Sequence, residues 1–175
     1  MESKISKSTW SWLGGILATI IIGLAIGDKT PWWGQLLGQR SQYTGATTFH
    51  EQQAVELIEK YLNSKQFLYG PPFERRLANE LLTGEKLSQT NWWQTHLKTE
   101  NAEYRYGSPK VTPIGSSFVV NGDEATIEVV EEEDVSFYRN GNPASRADAG
   151  KQKGRMYYVF RKIGQQWRIA DSKKN

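Results

Sequence analysis

The side chains that could do chemistry are few. His50 and His96 are the only histidines in the 175-residue chain, and there is no cysteine. Disulfides, thiolate nucleophiles and thiolate metal sites are thereby excluded together, and the compartment's redox state leaves no mark. A metal site needs His, Cys or carboxylate ligands that converge. His50 falls in a first helical turn. His96 follows the Trp pair, and no acid is expected at a helpful helical offset from it. The acidic run Glu131-Glu132-Glu133-Asp134 could in principle support acid/base work or bind calcium. In a strand, however, neighbours point to opposite faces, so the run is expected to be a solvated strand end or an acidic patch read by a partner. Arg75 and Arg76 read as an exposed helix face. No phosphate-binding glycine loop, nucleophile elbow or dinucleotide fingerprint occurs. The expectation is no catalytic residue, no cofactor and no metal, hence not an enzyme.

Binding is the better prospect. Trp92 and Trp93 are adjacent, so one helix face cannot bury both, and an exposed tryptophan is the usual form of a partner-binding anchor. Trp92, Trp93, Glu131, Glu132 and Glu133 are therefore the candidate partner-binding residues. The other aromatics, among them Tyr104, Tyr106, Phe118, Phe137, Tyr157, Tyr158, Phe160 and Trp167, are expected to build the core.

The elements that position these residues follow from periodicity. Thr48 with Glu51 fits a capping box. Ala54, Val55, Ile58, Tyr61 and Leu62 recur at helical spacing, and Gly70-Pro71-Pro72 breaks the helix after about Leu68. A second helix starts near Pro72 and closes at Gly84. A third covers Ser88 to about Leu97. The period then becomes two. Strands are expected at Ala102–Tyr106, Lys110–Val120, Ala125–Glu133, Arg155–Ile163 and Trp167–Asp171. Asn121-Gly122 marks a tight hairpin, and Asn142–Lys153 reads as a loop. Helices followed by an antiparallel meander imply an α+β fold, with helices packed on a curved antiparallel sheet. The closing YYVFRKIGQQWRIAD looks like the last hairpin of an NTF2-like cone.

Mean hydropathy is −0.62, yet Trp10 to Gly27 reads WSWLGGILATIIIGLAIG without a charge. Eighteen residues rise roughly 27 Å as a helix, near the thickness of a hydrocarbon core. Lys4 and Lys7 precede the stretch, Asp28, Lys29 and Pro31 stop it, and Trp10, Trp12, Trp32 and Trp33 stand at its ends, as interfacial tryptophans do. A retained transmembrane helix is expected. Its alternative is a signal peptide cleaved at Ala25-Ile26-Gly27. Gly23 and Gly27 form a small-xxx-small pair suited to homo-oligomer contact. The basic bias places the N-terminus in the cytoplasm. The domain reading is a short cytoplasmic N-terminus (1–9), the span (10–27), a linker (28–47) and an α+β domain (48–175). Net charge is +3, of which residues beyond 40 carry only +1. This is no nucleic-acid footprint, which requires a clustered basic face.

These residues resemble a known family. AVELIEKYLNSKQFLYGPPFERRLANELLTGEKL, AEYRYG, DEATIEVVEEE and the closing YYVFRKIGQQWRIAD are similar to the IMS domain that ends the J-like chloroplast-division protein and its cyanobacterial relative. The resemblance covers about Ala54 to Asp171. Its specific marks are Leu62, Lys65, Gly70, Leu82-Thr83-Gly84, Tyr104 and Tyr106. It implies a non-catalytic domain across the membrane from cytoplasm or stroma, in periplasm, lumen or intermembrane space, that binds division proteins. The J-like and helical regions are not matched here, since only nine residues precede Trp10. The function expected is a single-pass, membrane-anchored protein-interaction module, linked to cell or plastid division or to envelope or thylakoid assembly. Two alternatives are an NTF2-like domain that binds a small apolar ligand, and a scaffold subunit of an envelope assembly of the secretion-channel type.

Overall fold

The structure is a computed structural model that describes residues 49–174. The expected span 10–27, the linker 28–47 and the Gly23/Gly27 pair lie outside the described residues. Among those described, no helix is long and apolar enough to cross a membrane.

Among the described residues, three helices precede seven strands: α1 Glu51–Leu68, α2 Arg75–Leu81, α3 Gly84–Thr99, then β1 Ala102–Tyr106, β2 Lys110–Pro113, β3 Val119–Asn121, β4 Glu124–Arg139, β5 Asn142–Pro143, β6 Gly150–Ile163 and β7 Gln166–Lys174. The sheet is antiparallel throughout and ordered β1-β4-β6-β7, with β2, β3 and β5 also paired to β4. A register shift between Val159 and Phe160 interrupts the β6–β7 ladder. Such irregularities bend a strand and increase its twist.

The α1 cap sits two residues later than expected. The His50 N–H donates to Gln53 Oε1 at 2.9 Å, satisfying one free group at the helix start. The second helix starts at Arg75 rather than near Pro72. The cause is Phe73, whose φ of 58° leaves the helical region and whose N–H closes a turn onto the Gly70 carbonyl. The third helix starts at Gly84 rather than Ser88. Thr83 is its N-cap, and the Thr83 N–H is taken by the Ile169 carbonyl of β7 at 2.8 Å. Gly84 has φ +55°, a conformation that favours glycine.

Gly70 is required for space instead. A Cβ there would stand 2.7 Å from the Gln66 carbonyl oxygen and 3.1 Å from that of Tyr104. Both are backbone atoms, and the Tyr104 N–H is bonded to the Tyr69 carbonyl, so neither can retreat cheaply. Gly70→Ala is expected to cost about 1–3 kcal/mol, the usual range for overpacking. A urea midpoint unchanged from wild type would count against this close approach.

The inner face of the sheet is set by the phase of β4. Ala125, Ile127, Val129, Val135 and Phe137 are all buried on it. The first three join a cluster with Ala54, Val55, Ile58 and Leu62 of α1, Phe160 and Ile169. Val135 and Phe137 join a second cluster with Leu97, Ala102 and Tyr104. Between the two clusters, the same face carries Glu131 and Glu133.

Candidate functional site

Glu131 and Glu133 are at i and i+2 of one strand, so they share a face, and that face is the inner one. The expectation of a solvated acidic run is therefore corrected. Glu131 is only 7% exposed. The Tyr158 hydroxyl donates to Glu131 Oε1. Burial raises the Glu131 carboxyl above its ordinary value, opposed by the Tyr158 bond and by Lys65. Lys65 of α1 binds Glu133 Oε2 at 2.6 Å, with both side chains largely buried. Lys65 also lies 5.6 Å from the Tyr61 ring centroid and 5.4 Å from that of Tyr106. Lys86 of α3 donates to Ser172 Oγ at 2.7 Å and lies 5.3 Å from the Tyr61 ring. Tyr69 links the helices, its hydroxyl 3.0 Å from Thr90 Oγ1 and 3.4 Å from that of Tyr61. The result is a polar belt, two lysines balanced by two glutamates and tiled by tyrosines, that divides the apolar core.

Gln94, one helical turn beyond Thr90, is fully buried, and neither of its amide atoms has a hydrogen-bond partner. Tyr61, Tyr106 and Tyr158 are all raised well above the ordinary tyrosine value, chiefly by burial. They remain hydroxyl donors and acceptors, not phenolates. Tyrosine rings and the Lys65–Glu133 pair thus occupy the inside of the curved sheet, where a small apolar ligand would have to lie.

Burial pushes Lys86 down to about 8, helped by Lys65 and opposed by Glu131, Asp171 and Glu133. The unfolded chain then holds a proton that the folded chain has released, so stability rises with pH between about 8 and 10. Two units of window correspond to about 2–3 kcal/mol. Above about 10 the buried tyrosines reverse the trend, because they keep protons that the unfolded chain loses. Unfolding free energy in urea is expected to peak near pH 10, and Lys86→Met is expected to remove the rise. A wild-type profile that falls steadily from pH 8 would contradict this assignment.

The other candidates are dispersed. Glu132 faces outward and pairs with Lys153 at 2.8 Å, a contact that holds its carboxyl below the usual range. Asp134 is exposed. Trp92 is 58% exposed, whereas Trp93 is half-buried against the second cluster. The two rings meet edge-on at 4.9 Å, and His96 stacks on Trp92 at 5.0 Å. His96 does have an acidic neighbour. Helix α3 continues to Thr99, bringing Glu100 to 2.8 Å from His96 Nε2. Arg146 lies 5.0 Å from the Trp93 ring and 5.4 Å from that of Tyr104, and ion-pairs with Asp148, which accepts the Tyr104 hydroxyl at 2.7 Å.

Two grooves adjoin this end of the sheet. One, of about 370 Å³, is lined by Phe73, Leu97, Lys98 and Ala102 among others; the second, of about 420 Å³, by Gln66, Phe67, Tyr104, Arg105 and Tyr106. They share Pro71 and Glu103. Both run beside β1, and Tyr106 connects the second groove to the Lys65–Glu133 pair. Sequence reasoning had not assigned the belt lysines, Tyr61, Tyr69 or Gln94 to any site. The usable signal was the strand phase: Ala125, Ile127 and Val129 carry positions 131 and 133 inward.

The profile of the ARC6-like IMS domain matches residues 54–170. The intermembrane space region of the chloroplast protein ARC6 superposes with a TM-score of 0.63 at 18% identity, covering 73% of this chain and 98% of that one. An NTF2-like superfamily protein from Salmonella enterica gives 0.45 at 19% identity, covering 71% and 88%. A cystatin-like fold from Nostoc punctiforme gives 0.40 at 15%, covering 73% and 93%. No curated protein sequence matches the chain.

Proposed function

The chain belongs to the ARC6-like IMS domain family, and from that premise we propose that it is a single-pass, membrane-anchored module that docks a partner protein on the non-cytoplasmic side. Residues 10–27 supply the anchor in this reading, and the family membership supports a role in cell or plastid division or in envelope assembly. The module is non-catalytic. The observation that carries the docking role is the end of the sheet built on the second cluster. There the half-exposed Trp92–His96 stack and two grooves beside β1 offer apolar and charged groups to one partner surface. Aromatic anchors of this kind dominate interface energies.

Site-specific photo-crosslinking of the full chain in its native membrane tests the proposal. A photoreactive residue at position 92 is expected to yield one discrete heteromeric adduct. The same residue at position 132, on the outer sheet face, is expected to yield none. Trp92→Ala should change stability by less than about 0.5 kcal/mol, as exposed substitutions do, while weakening the association at least tenfold. Equal adducts at both positions, or Trp92→Ala leaving the association intact, would sink the docking face.

A further inference from the structure

The described residues expose four large hydrophobic side chains, and three of them sit at the end of the sheet where the chain enters it. Val119 is 57% exposed, Val120 36% and Ile163 41%. Val119 and Val120 belong to β3, just before the Gly122 turn, and Ile163 begins the β6–β7 turn. The Lys162 N–H donates to the Asp123 carbonyl at 2.8 Å, so the two turns stand side by side. Neighbours in a strand face opposite ways, yet both valines are bare, so the β3–β4 tip projects with neither face covered. Directly behind it is Phe49, the first described residue, stacked on Trp167 at 4.5 Å and edge-on to Phe118 at 5.9 Å.

The chain therefore enters the domain at its one paired aliphatic tip. Twenty-one residues separate Phe49 from the end of the uncharged stretch at Gly27. Even fully extended they reach at most about 75 Å, and Phe49, against Phe118 and Trp167, sets their domain end beside this tip. Arg161, Lys162 and Arg168 surround the tips, countered by Asp123 and Glu124, with Arg161 and Glu124 3.5 Å apart. The balance of charge is nearly even, which suits an apolar contact with a zwitterionic surface more than attraction to anionic lipid.

We propose that Val119, Val120 and Ile163 seat the domain against the lipid surface of its own membrane. This rests on the reading of residues 10–27 as an anchor. The seat orients the domain, leaving the Trp92 end, where Trp93 packs on the Val135–Phe137 end of the 16-residue β4, directed away from the bilayer.

The absence of native cysteine permits a direct test. The full chain carrying V120C, I163C or S145C, each with a polarity-sensitive fluorophore, is reconstituted into phosphatidylcholine vesicles containing a headgroup-nitroxide lipid. Labels at 120 and 163 should be quenched several-fold more than the label at 145. Salt at about 0.5 M, which screens charge contacts, should leave that difference unchanged. A chain that fails to float with the vesicles overturns the anchor reading and this proposal with it. A chain that floats, with 120 and 163 quenched no more than 145, overturns the lipid seat alone. Labels shielded from water but unquenched, and dependent on protein density, would assign the tips to a second copy and likewise overturn the seat.

Discussion

Replacing Lys65 by methionine is expected to lower the unfolding free energy by about 3–5 kcal/mol, the cost of stranding one member of a buried ion pair. Lys65 and Glu133 are 14% and 11% exposed in their side chains and meet at 2.6 Å. Lys65 bonds Glu133 Oε2, and Glu133 Oε1 is buried with no hydrogen-bond partner among the described residues, so loss of Lys65 leaves a carboxylate between two apolar clusters. Surface pairs, by contrast, contribute at most about 1 kcal/mol. The double variant Lys65→Met/Glu133→Gln removes the stranded charge and is expected to recover at least about 2 kcal/mol relative to the single change. Urea unfolding of the full chain in mild detergent, followed by tryptophan fluorescence, gives both numbers and their coupling. A single-variant loss under about 1 kcal/mol, with no recovery in the double variant, would mean that the pair is effectively solvated.

The second large effect lies in the first cluster. Phe160 is fully buried, pairs with Ala125 across β4, and its ring lies 5.3 Å from Phe49 and 6.3 Å from Tyr158. The small residue opposite it is why so large a ring fits there. Phe160→Ala is expected to cost about 3–5 kcal/mol, through lost transfer energy and the cavity left behind. Typical domains have only about 5–15 kcal/mol in total, so the variant sits close to unfolding. Phe160→Leu keeps most of the volume and should cost markedly less. If both changes were equally mild under the same urea assay, the packing around β6 would not be what holds this end of the sheet.

Much of this architecture was visible in the residues. Ala54, Val55, Ile58, Tyr61 and Leu62 announce α1, and a tight turn does follow β3, one residue later than expected: Asn121 pairs with Glu124, and Gly122, at φ +60°, and Asp123 make the turn. The family marks have structural reasons. Lys65 neutralises Glu133, Gly70 lets α1 approach β1, Leu82 and Thr83 meet Ile169, and the Tyr104 N–H bonds to Tyr69. They hold the interior, not a surface. The breaks in strands were harder to see. Lys110–Val120 divides into β2 and β3 because Ser116 takes φ +63° and the Ser117 hydroxyl bonds both backbone groups of Glu128. The turn-forming residues Pro113, Gly115, Ser116 and Ser117 carry the local signal for this break.

The first half of β6 falls within the expected loop 142–153 because Gly150–Lys153 lacks apolar alternation. Its partners supply the reason it pairs: Lys151 stands opposite Asp134 and Lys153 opposite Glu132. The acidic run misled in a related way. Composition suggested solvent, whereas the period-2 phase of β4 places alternate glutamates inside and outside. Composition and phase disagree most where charge is buried in pairs, and a single strand's sequence does not show the lysines on α1 and α3 that make such burial tolerable.

The central claim is a docking domain tethered on the non-cytoplasmic face of a membrane. Protease accessibility in sealed vesicles of known orientation tests it most directly, with the full chain present and residues 49–174 followed by size. In right-side-out vesicles the domain is expected to be digested by added protease, while inverted vesicles protect it until detergent is added. Protection in right-side-out vesicles, with digestion in inverted ones, would place the domain in the cytoplasm and contradict the account.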